Sequence, residues 1–525
     1  MTDVTGTTTV RSPLRLHGRD TELAAAHTLM GRLAHGTGGA LVCAAGPGLG
    51  RTAFLERAVQ DFTAGHALLV RAVPAHGTRP HGGIGTLLRA VAAACPHARG
   101  AAEGVQAGEP DAVLRLLRAA TAARPLLVCV DDVHLWDAPS RTALGRAACS
   151  LSTSSLPAGL LLSVAGHRAG DPALAGLPRV RIGPLDGPAA AALLDDLTDG
   201  SADPAVREEL ARAADGSPRL LGELAAGLTP AQLAGRAPLP RPLADPATVL
   251  RACGARAAEL PPDTRRLLLL AAAAQEQRPA GPGADAALVL RAAGPGTSGA
   301  AALAPAESAG LVRTAGDRIH FASEPLRRAV YEAAPLARRR AAHAALAAAS
   351  EDGHGHRLPY LLHRALAAEG PDPVLAGRLA AAARAVQPHL SHEERAVALA
   401  VSARLTAHDT DRAGRLTEAA DHARLAGRPA YARDLLAPVR ALPAAAPVRG
   451  RAELVHGLLS LRDGPVADAR EELLLAAALL GPHDTAAALA ARLAATEAAW
   501  AMGDAAAYVE ALGGGREQPG ADAGG

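Results

Sequence analysis

Apolar positions along the chain follow two regimes. Up to about Leu185, short apolar runs alternate with amphipathic stretches, the spacing of a parallel sheet wrapped by helices. Leu16 to Leu23 reads LHGRDTEL, and the segment that follows it to Leu33 carries helical spacing, which Gly36 to Gly39 breaks. Leu41-Val42-Cys43-Ala44-Ala45 then predicts a buried strand, followed by a glycine-rich turn and a helix from Arg51. Further strands are predicted at 67–73, 126–131 and 159–166, giving a doubly wound α/β sheet that ends near Leu185. From Pro188 the pattern is helical, interrupted at Asp215-Gly216-Ser217-Pro218 and by the proline-rich stretch 238–246, read as a linker.

A hairpin is predicted from Gly310 to Thr314 and Arg318 to Phe321 around the turn Ala315-Gly316-Asp317, and its flanking helices make a winged helix. Beyond residue 346 helix is nearly continuous, with breaks at Gly427, Gly464 and Gly503 spaced 37 and 39 residues apart, close to a helical-repeat period. The expected organisation is a flexible leader (1–13), a P-loop domain (14–185), a helical lid and linker (186–247), a winged-helix-like domain (248–346), TPR-like repeats (347–511) and a disordered tail (512–525). The fold class is therefore multidomain, α/β plus α.

Composition sharpens this picture. Of 525 residues 49% are hydrophobic and only 2% aromatic, so the cores must be built from Leu, Val and Ala. Lys and Asn are absent, as under a GC-rich coding bias, and every cationic side chain other than His is Arg. A net charge of +2 draws the whole chain neither to nucleic acid nor to an anionic membrane. The five cysteines form no CxxC pair and no disulfide framework, which fits a reducing cytoplasm. No signal peptide and no apolar run of membrane-spanning length is read, so no membrane partner is expected. The Arg338-Arg339-Arg340 run reads as a solvated helix face, and no GxSxG or HExxH motif occurs.

The strongest chemical signal is Ala45-Gly46-Pro47-Gly48-Leu49-Gly50-Arg51-Thr52, which follows a strand and opens a helix. Glycines let the backbone curl so that N–H groups point at phosphate oxygens, the helix N-terminus adds positive potential, and the Thr52 hydroxyl suits Mg²⁺. The alternative is a glycine-rich turn that holds nothing. A second strand, Leu126 to Asp131, ends in the carboxylates Asp131 and Asp132, suited respectively to a metal and to orienting an attacking water, or else to capping the next helix.

Gly18-Arg19-Asp20-Thr21-Glu22-Leu23, the loop at 45–52 and Val130-Asp131-Asp132-Val133-His134-Leu135-Trp136-Asp137 occur in an order that resembles the N-terminal part of the large ATP-binding LuxR-family regulators, members of the STAND class of P-loop ATPases. The resemblance implies ATP or ADP with Mg²⁺ as cofactors, a phosphate-sensing role for Arg168, and packing of Pro218 near the adenine. It also implies a winged-helix signature at FASEPLRRAVY (321–331), repeats that receive a protein or small-molecule signal, and nucleotide-dependent assembly. The chain departs from the family in having Arg51 where Lys is usual, Ala45 for the first Gly, Ser323 where His often stands, and no DNA-reading helix-turn-helix. Direct DNA binding is accordingly not expected. Three readings stay open: a weakly hydrolysing switch, a nucleotide-binding scaffold without turnover, and a truncated transcriptional regulator working with a separate DNA-binding module.

Overall fold

A computed structural model describes residues 15–73, 77–104, 106–109, 111–240, 242–253, 257–276, 281, 283–295, 299–350, 357–385 and 390–513. The expected leader 1–13 and nearly all of the expected tail lie outside these. The described residues fall into two compact units: those within Met1–Ala272, Pro282–Ala286 and Pro295–Ala334, and those within Ala273–Gly281, Ala287–Gly294 and Pro335–Gly525.

The first unit is organised by five parallel strands: β1 (Gly39–Ala45), β2 (His66–Arg71), β3 (Leu126–Asp131), β4 (Ala158–Ala165) and β5 (Arg179–Ile182). Their spatial order is β2-β3-β4-β1-β5. β1, β3 and β4 are buried along their whole length, which is why they read as continuous apolar runs. The two-residue period of each strand divides its side chains between two cores. Val42, Val128 and Leu160 face the helices Gly82–Ala94, Ala112–Ala120 and Ala138–Leu151, whereas Leu41, Leu127 and Leu161 face Asp20–Ala34 and Arg51–Asp61. The edge strand β5 presents Arg179 and Arg181 to solvent, charges that discourage a further strand from pairing.

After β5 the chain turns wholly helical, through Gly187–Thr198, Pro204–Ala214, Pro218–Ala226 and Pro230–Leu233. Each of these begins with a side chain that accepts a first-turn N–H (Asp186, Asp203, Ser217, Thr229) and carries Pro in its first turn, where no amide bond is lost. The break at Asp215-Gly216 is a left-handed helix end, with φ of +48° and +69°. Helix Pro246–Cys253 starts at the last residue of the proline-rich stretch. The hairpin forms at its expected place, β7 (Val312–Ala315) against β8 (Arg318–Phe321), with the two-residue strand β6 (Ala284–Asp285) added beside β8. Ser323 caps the helix Glu324–Glu332, and the buried Arg327 on it donates to Glu324 and to the Ala272 carbonyl.

The second unit is helical throughout its described residues after Pro335. Gly427 and Gly503, both at positive φ, turn helix Asp409–Leu425 into Pro429–Leu436 and Thr485–Ala501 into Ala505–Gly513. Between them Ala446–Asp463 turns into Val466–Leu480 at Gly464. Alanines and glycines allow close approach: a Cβ on Gly457 would stand 2.7 Å from Leu473 Cγ. No helix among the described residues is long and apolar enough to cross a membrane.

Inside this unit His343 and His363 are buried and meet Nδ1 to Nδ1 at 3.0 Å. Burial holds both imidazoles well below their ordinary range, His343 down to about 4, with Arg339 and Arg404 adding to the effect there and His343 adding to it at His363. An imidazole whose folded value is depressed stabilises the fold above the unfolded value of about 6.5, and the contribution is lost as pH falls from there towards 4. The melting temperature should therefore drop over that interval. In the double variant His343→Leu/His363→Leu the drop should be shallower; an equal pH dependence in both proteins would take the pair out of the acid response.

Candidate functional site

The loop after β1 is shaped by two glycines that no other residue replaces easily. Gly48 and Gly50 sit at φ of +73° and +98°, and Gly50 is the residue from which helix Arg51–Asp61 starts. Among the described residues, the backbone N–H groups of Gly48, Leu49, Gly50, Arg51 and Thr52 donate to no protein acceptor. Five successive unpaired donors at a helix N-terminus form a concave patch of positive potential. It opens into a cleft of about 740 Å³ lined by all of the loop residues from Gly46 to Thr52.

Strand order supplies the acidic side. With β4 between β1 and β3, the register Val130↔Leu162 sets the end of β3 beside Ser163. Asp131, 5% exposed, accepts from the Thr52 hydroxyl at Oδ2 (2.7 Å) and from the Ser163 hydroxyl at Oδ1 (2.5 Å). Ser163 in turn accepts the Asp132 N–H at 2.8 Å. Thr52, whose proton is committed to Asp131, lines the cleft while Asp131 does not. The carboxylate thus stands behind the hydroxyl and orients its lone pairs, an arrangement fit for Mg²⁺ held by Thr52 with Asp131 in support.

Asp132 lies at φ +55° and its side chain caps nothing; it accepts from Arg51 Nη2 at 2.8 Å. Arg51 folds back over its own loop, with Nη1 donating to the Ala45 carbonyl at 2.5 Å and to that of Gly46 at 3.4 Å, while its buried Nε has no partner among the described residues. The guanidinium therefore spans the ends of β1 and β3 instead of standing free over the loop. His134 Nδ1 is 3.8 Å from Asp132 and accepts the Ala165 N–H.

The helices after β5 close the other wall. Arg219 N–H and the Ser217 hydroxyl both point at the Gly48 carbonyl, at 3.3 and 3.4 Å, and a Cβ on Gly48 would come within 2.9 Å of Ser217 Oγ and 3.0 Å of the Ala252 carbonyl. Leu185, Leu193, Leu197 and Pro218 give this wall an apolar character. Arg19, buried and with its pKa lowered by that burial, ties the leading segment to the site by donating to the Gly183 carbonyl at 2.7 Å and to that of Leu49 at 3.5 Å. Burial pushes the Cys43 thiol on β1 up to about 12, so it stays protonated and unreactive at neutral pH.

Of the residues singled out from sequence, Gly46, Pro47, Gly48, Leu49, Gly50, Arg51, Thr52, Asp132 and Pro218 line one cleft, and Asp131 stands immediately behind it. Arg168 does not line it: its Nη2 donates to Ser308 Oγ at 3.0 Å on an exposed stretch, and Ser308 rather than Arg168 reaches the cleft. Ser163 was not singled out, although a lone hydroxyl in a wholly buried strand was a signal for it.

The first unit is a five-stranded parallel sheet flanked by helices, with the glycine-rich loop between strand β1 and the helix Arg51–Asp61. No family model matches the chain, and no curated protein matches it. Solved structures similar to it include a Signal Transduction ATPase with Numerous Domains protein with a tetratricopeptide repeat sensor from Pyrococcus horikoshii, at 12% identity, covering 98% of this chain and 78% of that one, with a TM-score of 0.31. A Walker-type ATPase of Pyrococcus abyssi matches at 13% identity over 61% of this chain and 98% of that one, TM-score 0.41. Cdc6p from Pyrobaculum aerophilum matches at 17% identity over 66% and 98%, TM-score 0.33. The chemistry assigned to the site rests on this chain's own loop, strand order and cleft.

Ser163→Ala would leave Asp131 Oδ1 and the Asp132 N–H without their shared partner. The expected cost is about 1–3 kcal/mol in the opening free energy of β3 and β4, read as faster amide exchange along both strands. Unchanged exchange there would show that the hydroxyl holds nothing in place.

Proposed function

We propose that this chain is a nucleotide-controlled regulator that binds ATP or ADP with Mg²⁺ in the first unit and receives a protein or small-molecule signal through the repeats of the second. The observation that carries this reading is the row of five unpaired N–H donors along a cleft that Thr52 lines with its hydroxyl backed by Asp131. Phosphate oxygens would take those donors, and Mg²⁺, when bound, would neutralise phosphate charge beside Thr52. The apolar wall with Leu193 and Pro218 suits a base, and the motif order supports adenine through the resemblance to LuxR-family STAND regulators. Cytoplasmic operation and nucleotide-dependent assembly belong to the same reading, which assigns the chain no DNA contact of its own.

Calorimetry on the full chain should show ATP and ADP binding more tightly with Mg²⁺ than without it. Asp131→Ala should abolish that difference while metal-free binding persists. No heat with either nucleotide at millimolar concentration would sink the reading, and equal loss with and without metal would mark Asp131 as purely structural.

The second reading, binding without turnover, is favoured by one contact. The Arg51–Asp132 ion pair engages both the loop cation and the carboxylate suited to orienting water. A Lys at this position is a compact charge without the fork that spans Ala45 and Asp132. Arg51→Lys should therefore release Asp132 and raise ATP turnover about tenfold or more, with a much smaller change in affinity. Single-turnover assays decide it: a negligible rate in the Lys variant, with nucleotide still bound, leaves a binding switch and no latent ATPase.

A further inference from the structure

The second unit holds a cavity of its own, about 630 Å³, between the ends or faces of helices Pro373–Arg384, His392–Arg404, Asp409–Leu425, Ala446–Asp463 and Thr485–Ala501. We propose that this cavity is a binding site for a small organic anion, a carboxylate or phosphate carrying an apolar body. This gives the receiving role of the repeats a location and a chemistry, and it does not require the nucleotide site of the first unit to be correct.

Three features of the lining argue for it. Its floor is apolar, with Leu454, Val455 and Leu458 on one helix and Ala487 and Ala490 on the next, and its volume lies in the range of small-molecule sites, roughly 300–1,000 Å³. Its rim carries four arginines against two carboxylates, Glu418 and Asp421. Three of the four are already paired: Arg384 with Glu418, Arg424 with Asp421 and Arg451 with Asp484, at 2.7–2.8 Å.

Arg395 is different. It donates Nη1 to the Ala383 carbonyl at 2.6 Å and has no carboxylate partner among the described residues. Close to it, His422 meets His392 Nδ1 to Nδ1 at 2.8 Å. The charged and titratable groups acting on His422 are His392 and Arg395 from helix His392–Arg404 and Asp421 and Glu418 from its own helix; burial, His392 and Arg395 keep its pKa below the ordinary range against the opposing pull of the two carboxylates. The rim thus holds an unneutralised guanidinium beside an imidazole that resists a second positive charge. An anion seated there satisfies Arg395 in a bidentate manner and relieves His422, while the apolar floor takes the remainder of the ligand. Arg384 lies on an exposed ion pair that exchanges at little cost, so it can swing to the same anion.

The test uses the full chain with four probes: 4-phenylbutyrate, phenyl phosphate, phenethylamine and inorganic phosphate. Calorimetry should show the two aromatic anions binding, inorganic phosphate about tenfold weaker, and the amine not at all. The His422 ring, followed by NMR, should titrate at higher pH in the presence of either aromatic anion. Arg395→Gln should weaken both at least about tenfold and abolish the His422 shift, and Arg395→Lys should retain part of each. Ala490→Phe, at an exposed lining position on helix Thr485–Ala501, should block binding by filling the cavity, so that a folding defect in the Arg395 variant cannot imitate the result. Equal binding of the amine, anion binding unaffected by Arg395→Gln and Ala490→Phe together, or no binding of either aromatic anion at millimolar concentration would overturn the proposal. ATP titrated into the Arg395→Gln protein reads the first unit alone, so loss of the anion site and loss of the nucleotide site are told apart.

Discussion

One buried carboxylate anchors the first unit's site. Asp131 has both oxygens occupied by hydroxyls from different elements, Thr52 at the first turn of the helix after the loop and Ser163 on the neighbouring strand. A half-satisfied carboxylate at 5% exposure would cost more than either hydrogen bond gains, so the three elements are held to one another by the penalty of separating them. The helix start, the strand end and the register of β4 are therefore not independently adjustable. The placement of the five N–H groups follows, because the loop that carries the first three runs into a helix whose first turn is pinned by Thr52.

Arg51 introduces an opposing tendency. Its guanidinium closes a bridge between the carbonyl edge of the loop and Asp132, on a residue held in a left-handed conformation that a non-glycine side chain adopts reluctantly. The bridge neutralises two charges that would otherwise face the cleft, and it does so with the one permanently charged cationic side chain this lysine-free sequence uses. On the proposed reading, the site would hold phosphate by backbone amides more than by a mobile cation.

Much of this was legible in the sequence. The three central strands read correctly because parallel strands buried on both faces leave continuous apolar runs. The hairpin was legible from Gly316-Asp317 between β-branched stretches. What escaped was set by tertiary register. Ser163 acquires a role only because β4 lies between β1 and β3, an order that no local pattern encodes. Arg168, given a phosphate-sensing role by the resemblance alone, turns to Ser308, and Arg51's fold-back onto Ala45 depends on a loop curvature that spacing does not reveal. The second unit's cavity was also invisible, since its lining comes from five helices spread over roughly a hundred residues.

The contact between Gly48 and the helical segment after β5 carries a thermodynamic consequence. The peptide that follows Gly48 turns its carbonyl to Ser217 and Arg219, so one rigid amide plane ties the loop to the helical segment after β5. On the proposed reading, a ligand that reorients that plane changes the free energy of the contact with that segment, and a change at the contact alters the affinity at the loop by the same factor. Such reciprocity would make the helical segment a meter of what the loop holds: a mutation at Ser217, outside the loop, would alter occupancy as surely as one within it.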